Sequence, residues 1–232
     1  MARYYRRHLP HGAPENAAVF VTWNLKGALP KTALQQIEAV RKDFSSRFEP
    51  LCGNDPKIAD GMALAGKRHA LQVEMAKRLF RVSESFLDQA HSGPLDLKEP
   101  RQAEIVRHAL LESAGRFFDL YAFVVMANHV HALIRPKVEL TRITGGIKSI
   151  TARRINAVRQ RQGTSLWQDE TFDHRPRNVV KFMQAIAYIE NNPVKAGLCR
   201  RPEDWHWSSA SMRDSWPIGT AFAKTEERET GD

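Results

Sequence analysis

Cysteine is scarce in this 232-residue chain: Cys52 and Cys199 are the only two, far apart. Two thiols make neither a disulfide framework nor a zinc-ligand set, and they suit a reducing compartment. Long apolar runs are also missing. The longest, around Tyr121 to Ala127, is strand-sized, against the ~18–20 residues a membrane helix needs. No apolar stretch follows the basic opening MARYYRRHLP, so no secretory signal is expected and the cytoplasm is the expected location. Internal repeats and low-complexity tracts are absent. With 42% hydrophobic and 26% charged residues, collagen-like, coiled-coil and wholly disordered chains are excluded, and the length fits one large domain or two small ones.

What the chain has in surplus is positive charge. Lys and Arg number 35 against 26 Asp and Glu, a net charge of +9. Such a surplus favours a polyanionic partner, nucleic acid above all; the plain alternative is a basic surface with no such partner. Position sharpens the point. Arg135, Lys137, Arg142, Lys148, Arg153, Arg154, Arg159 and Arg161 face Glu139 alone in one segment, which therefore carries most of the surplus.

The hydrophobic pattern predicts a strand over 17–25, then helices over 29–48, 64–90 and 99–115, with a turn-rich break at 49–62. Two short β-rich runs follow, 118–126 and 130–135, joined by a tight turn at Ala127-Asn128. A basic helix spans 140–160, starting at Leu140 or after the Gly145-Gly146 pair. A short strand is expected within 166–172, and a helix over 178–191 that Pro193 stops. This order is a βαββαβ plan: an α+β, ferredoxin-like split βαβ sandwich, with an antiparallel sheet, helices on one face and a helical insertion over about 49–98. Residues 1–16 read as a basic arm, 17–200 as the main domain and 201–232 as a C-terminal tail.

Two constellations carry chemistry. In Asn128-His129-Val130-His131, a strand would put His129 and His131 on one face. Side-by-side imidazoles can ligate a divalent metal, though two such histidines can equally be cross-strand hydrogen-bonding residues, and a pair needs a third ligand. In Ala187-Tyr188-Ile189-Glu190-Asn191-Asn192-Pro193, a helix would put Tyr188 and Asn192 one above the other, with Ile186 and Ile189 toward the core. Read alone, Tyr188 is also a half-buried amphipathic aromatic, and Asn192 the residue before a proline.

The stretches MANHVHALI, GGIKSITARRIN, LWQDETFDH, AYIENNPVKAGL and PEDWHWSSA, in this order, resemble the REP-associated tyrosine transposases, the single-tyrosine branch of the HUH nuclease superfamily. The resemblance covers most of 17–212. It departs at Ala127, where the family typically has proline, and at Thr171, where an aromatic is common. It implies that His129 and His131 are metal ligands, that Asn192 supplies a third ligand through its amide, and that Tyr188 is the nucleophile. It also implies a metal-dependent endonuclease and strand transferase with Mg²⁺ or Mn²⁺ as cofactor. The chemistry would run through a 5′-phosphotyrosine on single-stranded or hairpin DNA of REP-like palindromes. Lys148, Arg153 and Arg154 of the basic helix are the expected DNA contacts, with Arg3, Arg6 and Arg7 as a possible arm. Trp167, Trp205 and Trp207 could stack on bases or belong to the core. No membrane partner is expected, and a monomer and a homodimer both remain open. Two other readings stand beside the transposase: a non-catalytic ferredoxin-like nucleic-acid-binding protein, and a nuclease that uses water with Tyr188 structural.

Overall fold

A computed structural model describes residues 17–51, 61–88 and 93–215. The basic arm, Cys52, Trp216 and the tail beyond 215 lie outside the described residues. Strand β1 (Val19–Asn24) opens the fold. A helical excursion follows, made of α1 (Lys31–Phe48) and α2 (Gly61–Leu87), and then α3 (Pro100–Ser113). The hairpin β2 (Phe118–Val125) and β3 (His129–Pro136) comes next, then α4 (Leu140–Val158), β4 (Phe172–His174) and α5 (Val179–Lys195).

The four strands form one sheet in the order β2-β3-β1-β4, antiparallel at every junction. This is the α+β, split-βαβ arrangement that the element order predicts. Register decides which side chains share a face. Thr22 lies opposite His131 and Asn24 opposite His129, while Val21 pairs with Ala132 and Trp23 with Val130. A bulge between Leu120 and Ala122 inserts one residue in β2, so that Tyr121 and Ala122 both face the side opposite Leu120.

The crossover helices α3 and α4 pack on one face. Val106, Leu110, Ile143, Ile147 and Ile155 meet Val19, Val21, Trp23, Val130, Ala132 and Ile134 there in one apolar core. Helices on one face were expected. The structure adds a second layer: α5 follows the plan's last strand and covers the other face. There Phe182, Ala185, Ile186 and Ile189 meet Phe20, Ala122, Val124 and Leu133, with Phe80 of α2 at the margin. An amphipathic helix left over after both crossovers has only that sheet face on which to bury its apolar stripe.

Local details settle one open choice of the pattern and differ from it in two places. Helix α4 begins at Leu140 and runs through Gly145 and Gly146. The buried stripe Leu140, Ile143 and Ile147 outweighs the ~1 kcal/mol that each glycine costs a helix. Helix α5 passes Pro193 and ends at Lys195. In the last turn a proline forfeits only one backbone bond, and Gly197, at φ 70°, closes the helix as Leu198 N–H donates to Pro193 O at 2.9 Å. The strand within 166–172 is displaced to Phe172–His174, with Trp167 making an isolated bridge to Leu25.

Candidate active site

The site grows from the alternation of β3. Val130 and Ala132 enter the apolar core, so His129 and His131 project from the opposite face. Both imidazoles are fully buried. Their outer nitrogens are fixed by neighbours. Asn128 Nδ2 donates to Leu87 O at 3.2 Å, which leaves Asn128 Oδ1 as an acceptor 2.6 Å from His129 Nδ1. His129 therefore carries its hydrogen on Nδ1 and keeps the Nε2 lone pair free, an assignment that follows from the hydrogen-bond network. His131 Nδ1 lies 2.8 Å from Thr22 Oγ1. The two Nε2 atoms face each other at 3.0 Å. Burial, then the charge of neighbouring His131, pushes His129 down to about 3, so it stays neutral and able to ligate.

Tyr188 and Asn192 come from α5, whose start is capped by Asn178 Oδ1 accepting from Lys181 N at 2.9 Å. The Tyr188 ring lies 5.8 Å from that of His131 and 6.0 Å from that of Phe20. Its hydroxyl donates to Glu84 Oε2 of α2, and the same oxygen lies 3.2 Å from His131 Nε2. Burial raises the Tyr188 phenol far above its usual range, and the Glu84 charge and hydrogen bond raise it further. Burial would also raise Glu84, but the histidine pair and the phenol outweigh it and hold the carboxyl at about 2. Asn192 is buried next to Tyr188, and neither of its side-chain polar atoms has a hydrogen-bond partner.

Of the residues singled out from sequence, His129, His131, Tyr188 and Asn192 thus gather on one face of the sheet. Glu84 was missed. Among the described residues, Glu84, His129 and His131 are the one group of three acidic, histidine or cysteine side chains with ligand atoms within 4.8 Å of one another. The donor set fits a divalent ion. Two imidazole nitrogens 3.0 Å apart match neighbouring vertices of an octahedron with bonds of ~2.1 Å. The unpartnered Asn192 amide and Glu84 Oε1 are buried polar atoms of the kind an ion satisfies. A signal for Glu84 did exist: Phe80, Glu84 and Leu87 fall at i, i+4 and i+7, an acid on an otherwise apolar stripe.

The expected DNA contacts separate. All of them lie on α4, across the sheet from the histidines. Arg153 is exposed, and Arg154 is ion-paired with Glu112 at 3.1 Å. Lys148 Nζ donates to Gln168 O and Glu170 O at 3.0 Å and to Thr171 Oγ1 at 2.7 Å, pinning the loop before β4. Trp167 is core: it is buried, with Nε1 donating to Thr151 Oγ1 at 2.9 Å. Trp205 Nε1 donates to Val125 O at 3.0 Å, which docks the start of the tail on β2. His174 enters the site's margin, stacked on Phe20 with ring centres 4.7 Å apart.

Comparison with known proteins finds chains similar to this one. Residues 100–192 match the family described as transposase IS200 like. A REP-associated tyrosine transposase of Escherichia coli (strain K12) is 26% identical over 129 residues, 54% of this chain and 76% of that one. A solved structure of a REP-associated tyrosine transposase bound to a REP hairpin aligns over 94% of this chain and 90% of its own, at 17% identity and a TM-score of 0.49. The segment that matches the family described as transposase IS200 like contains His129, His131, Tyr188 and Asn192.

Proposed function

We propose that the protein cuts and rejoins single-stranded DNA at hairpin-forming repeats, with Tyr188 as nucleophile. The observation that carries this reading is convergence: a phenol from α5 and two imidazoles from β3 meet at one buried point, through residues more than fifty positions apart. His129 and His131, with the Asn192 amide, would hold Mg²⁺ or Mn²⁺. When bound, such an ion supplies a Lewis acid that polarises a phosphate oxygen. Two imidazole nitrogens favour Mn²⁺ over Mg²⁺, which prefers oxygen.

The chain's own part is positioning and attack. In the resting site Tyr188 keeps its proton, because burial and the Glu84 carboxylate both disfavour the phenolate. Attack by Oη on phosphorus forms a 5′-phosphotyrosine as the bond to the 3′ oxygen breaks. The released 3′ oxygen ends as a hydroxyl, in balance with the proton lost by the phenol. One phosphoester replaces another, so a 3′-hydroxyl can reverse the step and join a different strand. Arg153 and Arg154 contact DNA phosphate in this reading, and Lys148 orders the loop beside them.

The test is an incubation with single-stranded hairpin DNA and Mn²⁺, followed by denaturing electrophoresis. The expected product is an SDS-stable protein–DNA adduct that Tyr188→Phe abolishes. Retention of DNA without cleavage would support the binding-protein reading instead. Cleavage without an adduct would point to a hydrolytic nuclease.

A further inference from the structure

Glu84 lies outside residues 100–192, the segment that matches the family. It belongs to α2, in the helical excursion between β1 and α3. Its carboxylate is nevertheless buried at the centre of the family's residues. Oε2 accepts from Tyr188 Oη and lies 3.2 Å from His131 Nε2, while Oε1 is buried with no hydrogen-bond partner. Among the described residues no lysine or arginine forms an ion pair with it; His131 is its one ionic neighbour. An anion in such a place is costly unless a cation meets it.

The surroundings hold the carboxylate there. Phe80, one turn before it, packs on Tyr188 at 6.1 Å and on Phe20 at 5.5 Å. Leu87, one turn after it, is fully buried, and its carbonyl accepts from Asn128, the residue that orients His129. The same helix turn therefore fixes both the carboxylate and one imidazole. Charge points the same way. Two neutral imidazoles and an amide would leave the whole double charge of a divalent ion in a buried site, and a carboxylate removes half of it. Two histidines and one carboxylate also form a set that holds first-row divalent ions with open positions for substrate.

We propose that Glu84 is the anionic protein ligand of this centre, so that the inserted helix α2 completes a metal site that the family's shared segment leaves unfinished. The proposal rests on the metal-dependent reading above. It makes one side chain the link between cation and nucleophile, because the same carboxylate holds the Tyr188 hydroxyl.

Binding of Mn²⁺ to the DNA-free full-length protein tests it, by titration calorimetry and by the rise in melting temperature with added MnCl₂. Glu84→Gln keeps the shape and an acceptor for Tyr188 but loses the charge. It is expected to weaken Mn²⁺ binding at least ~10-fold and to flatten the melting-temperature rise, while its melting temperature in EDTA stays at or above that of the parent. Should Glu84→Gln melt too low to assay, Glu84→Asp makes the same comparison with the carboxylate drawn back by one methylene. Unchanged Mn²⁺ affinity in the Glu84 variant, with affinity lost in His129→Ala, would overturn the proposal and leave the active-site reading standing. Unchanged affinity in His129→Ala and His131→Ala would overturn the metal reading itself.

Discussion

The two faces of the sheet are equally buried and chemically opposite. On the α3–α4 side, Val21 and Trp23 of β1 meet Val130 and Ala132 of β3 and Phe123 of β2, a dry apolar layer. On the other side the alternate residues of the same strands are Thr22, Asn24, His129 and His131, and they are sealed just as well. Burial alone does not separate core from site. What separates them is whether the buried atoms are satisfied. In the apolar layer the Trp23 indole Nε1 is unpaired, whereas around the histidines four polar atoms, Asn24 Oδ1, Glu84 Oε1 and both of the Asn192 amide, lack partners. Unpaired buried polar groups cost stability, and their concentration at one point is a sign of function.

The comparison is broken most forcefully by exchanging a residue from each face. Trp23→Ala opens a cavity in the dry layer and is expected to cost ~3–5 kcal/mol in urea unfolding. Asn192→Leu, similar in volume, removes two unpartnered polar atoms and is expected to leave stability unchanged or improved. DNA cleavage by that variant should nonetheless fall sharply. A loss of stability in Asn192→Leu comparable to that of Trp23→Ala would erase the distinction between the faces.

A smaller effect sharpens it. Thr22→Val changes one atom on the polar face and leaves the strand's shape intact. His131 Nδ1 then loses its partner at 2.8 Å, and with it the bond that aims Nε2. Such supporting contacts are worth ~10–100-fold in metal affinity, so Mn²⁺ binding by calorimetry should weaken by ~1.4–2.7 kcal/mol. Val21→Ala, one residue away but on the dry face, should lower the melting temperature and leave Mn²⁺ affinity alone.

Much of this was legible in the sequence because periodicity encodes faces. His-Val-His in a strand places two imidazoles together, and Tyr188 and Asn192 at i and i+4 share a helix stripe. The same logic also carried a warning about the basic helix. If Val130, Ala132 and Ile134 meet the crossover helices, the intervening histidines must look away from α4, so Lys148, Arg153 and Arg154 lie across the sheet from them. Glu84 was hidden for a different reason. Among Glu74, Lys77, Arg78 and Arg81, an acid on a 27-residue helix reads as solvent-facing, and only its spacing from Phe80 and Leu87 betrays it. Tertiary packing, not local pattern, selects it. Pro193 misled in the same way, while the Gly145-Gly146 pair left the start of α4 open and the structure sets it at Leu140: packing of the apolar stripe overrode local propensity.

The mildest test stays on the polar face but moves to the other end of β3. Asp119 and Arg135 are cross-strand partners there, and Lys137 joins them at 2.7 Å. Here the charges are paired and reach solvent, in contrast to Glu84. Burial pushes the Asp119 carboxyl up, but hydrogen bonds from Lys137 and Arg135 outweigh it and hold it below its ordinary value. A carboxyl lowered on folding stabilises the fold above its unfolded pKa of ~3.9, and that contribution is lost as pH falls through the folded value. Asp119→Asn is therefore expected to cost ~0.5–1 kcal/mol at neutral pH, after allowance for solvent screening. The gap to the parent should hold steady down to about pH 5 and close below about pH 4. Urea unfolding of both proteins across that range measures it. A gap that stayed open in acid would mean that Asp119 acts through packing and not through its charge, and the two ends of the face would then differ less than their hydrogen bonding implies.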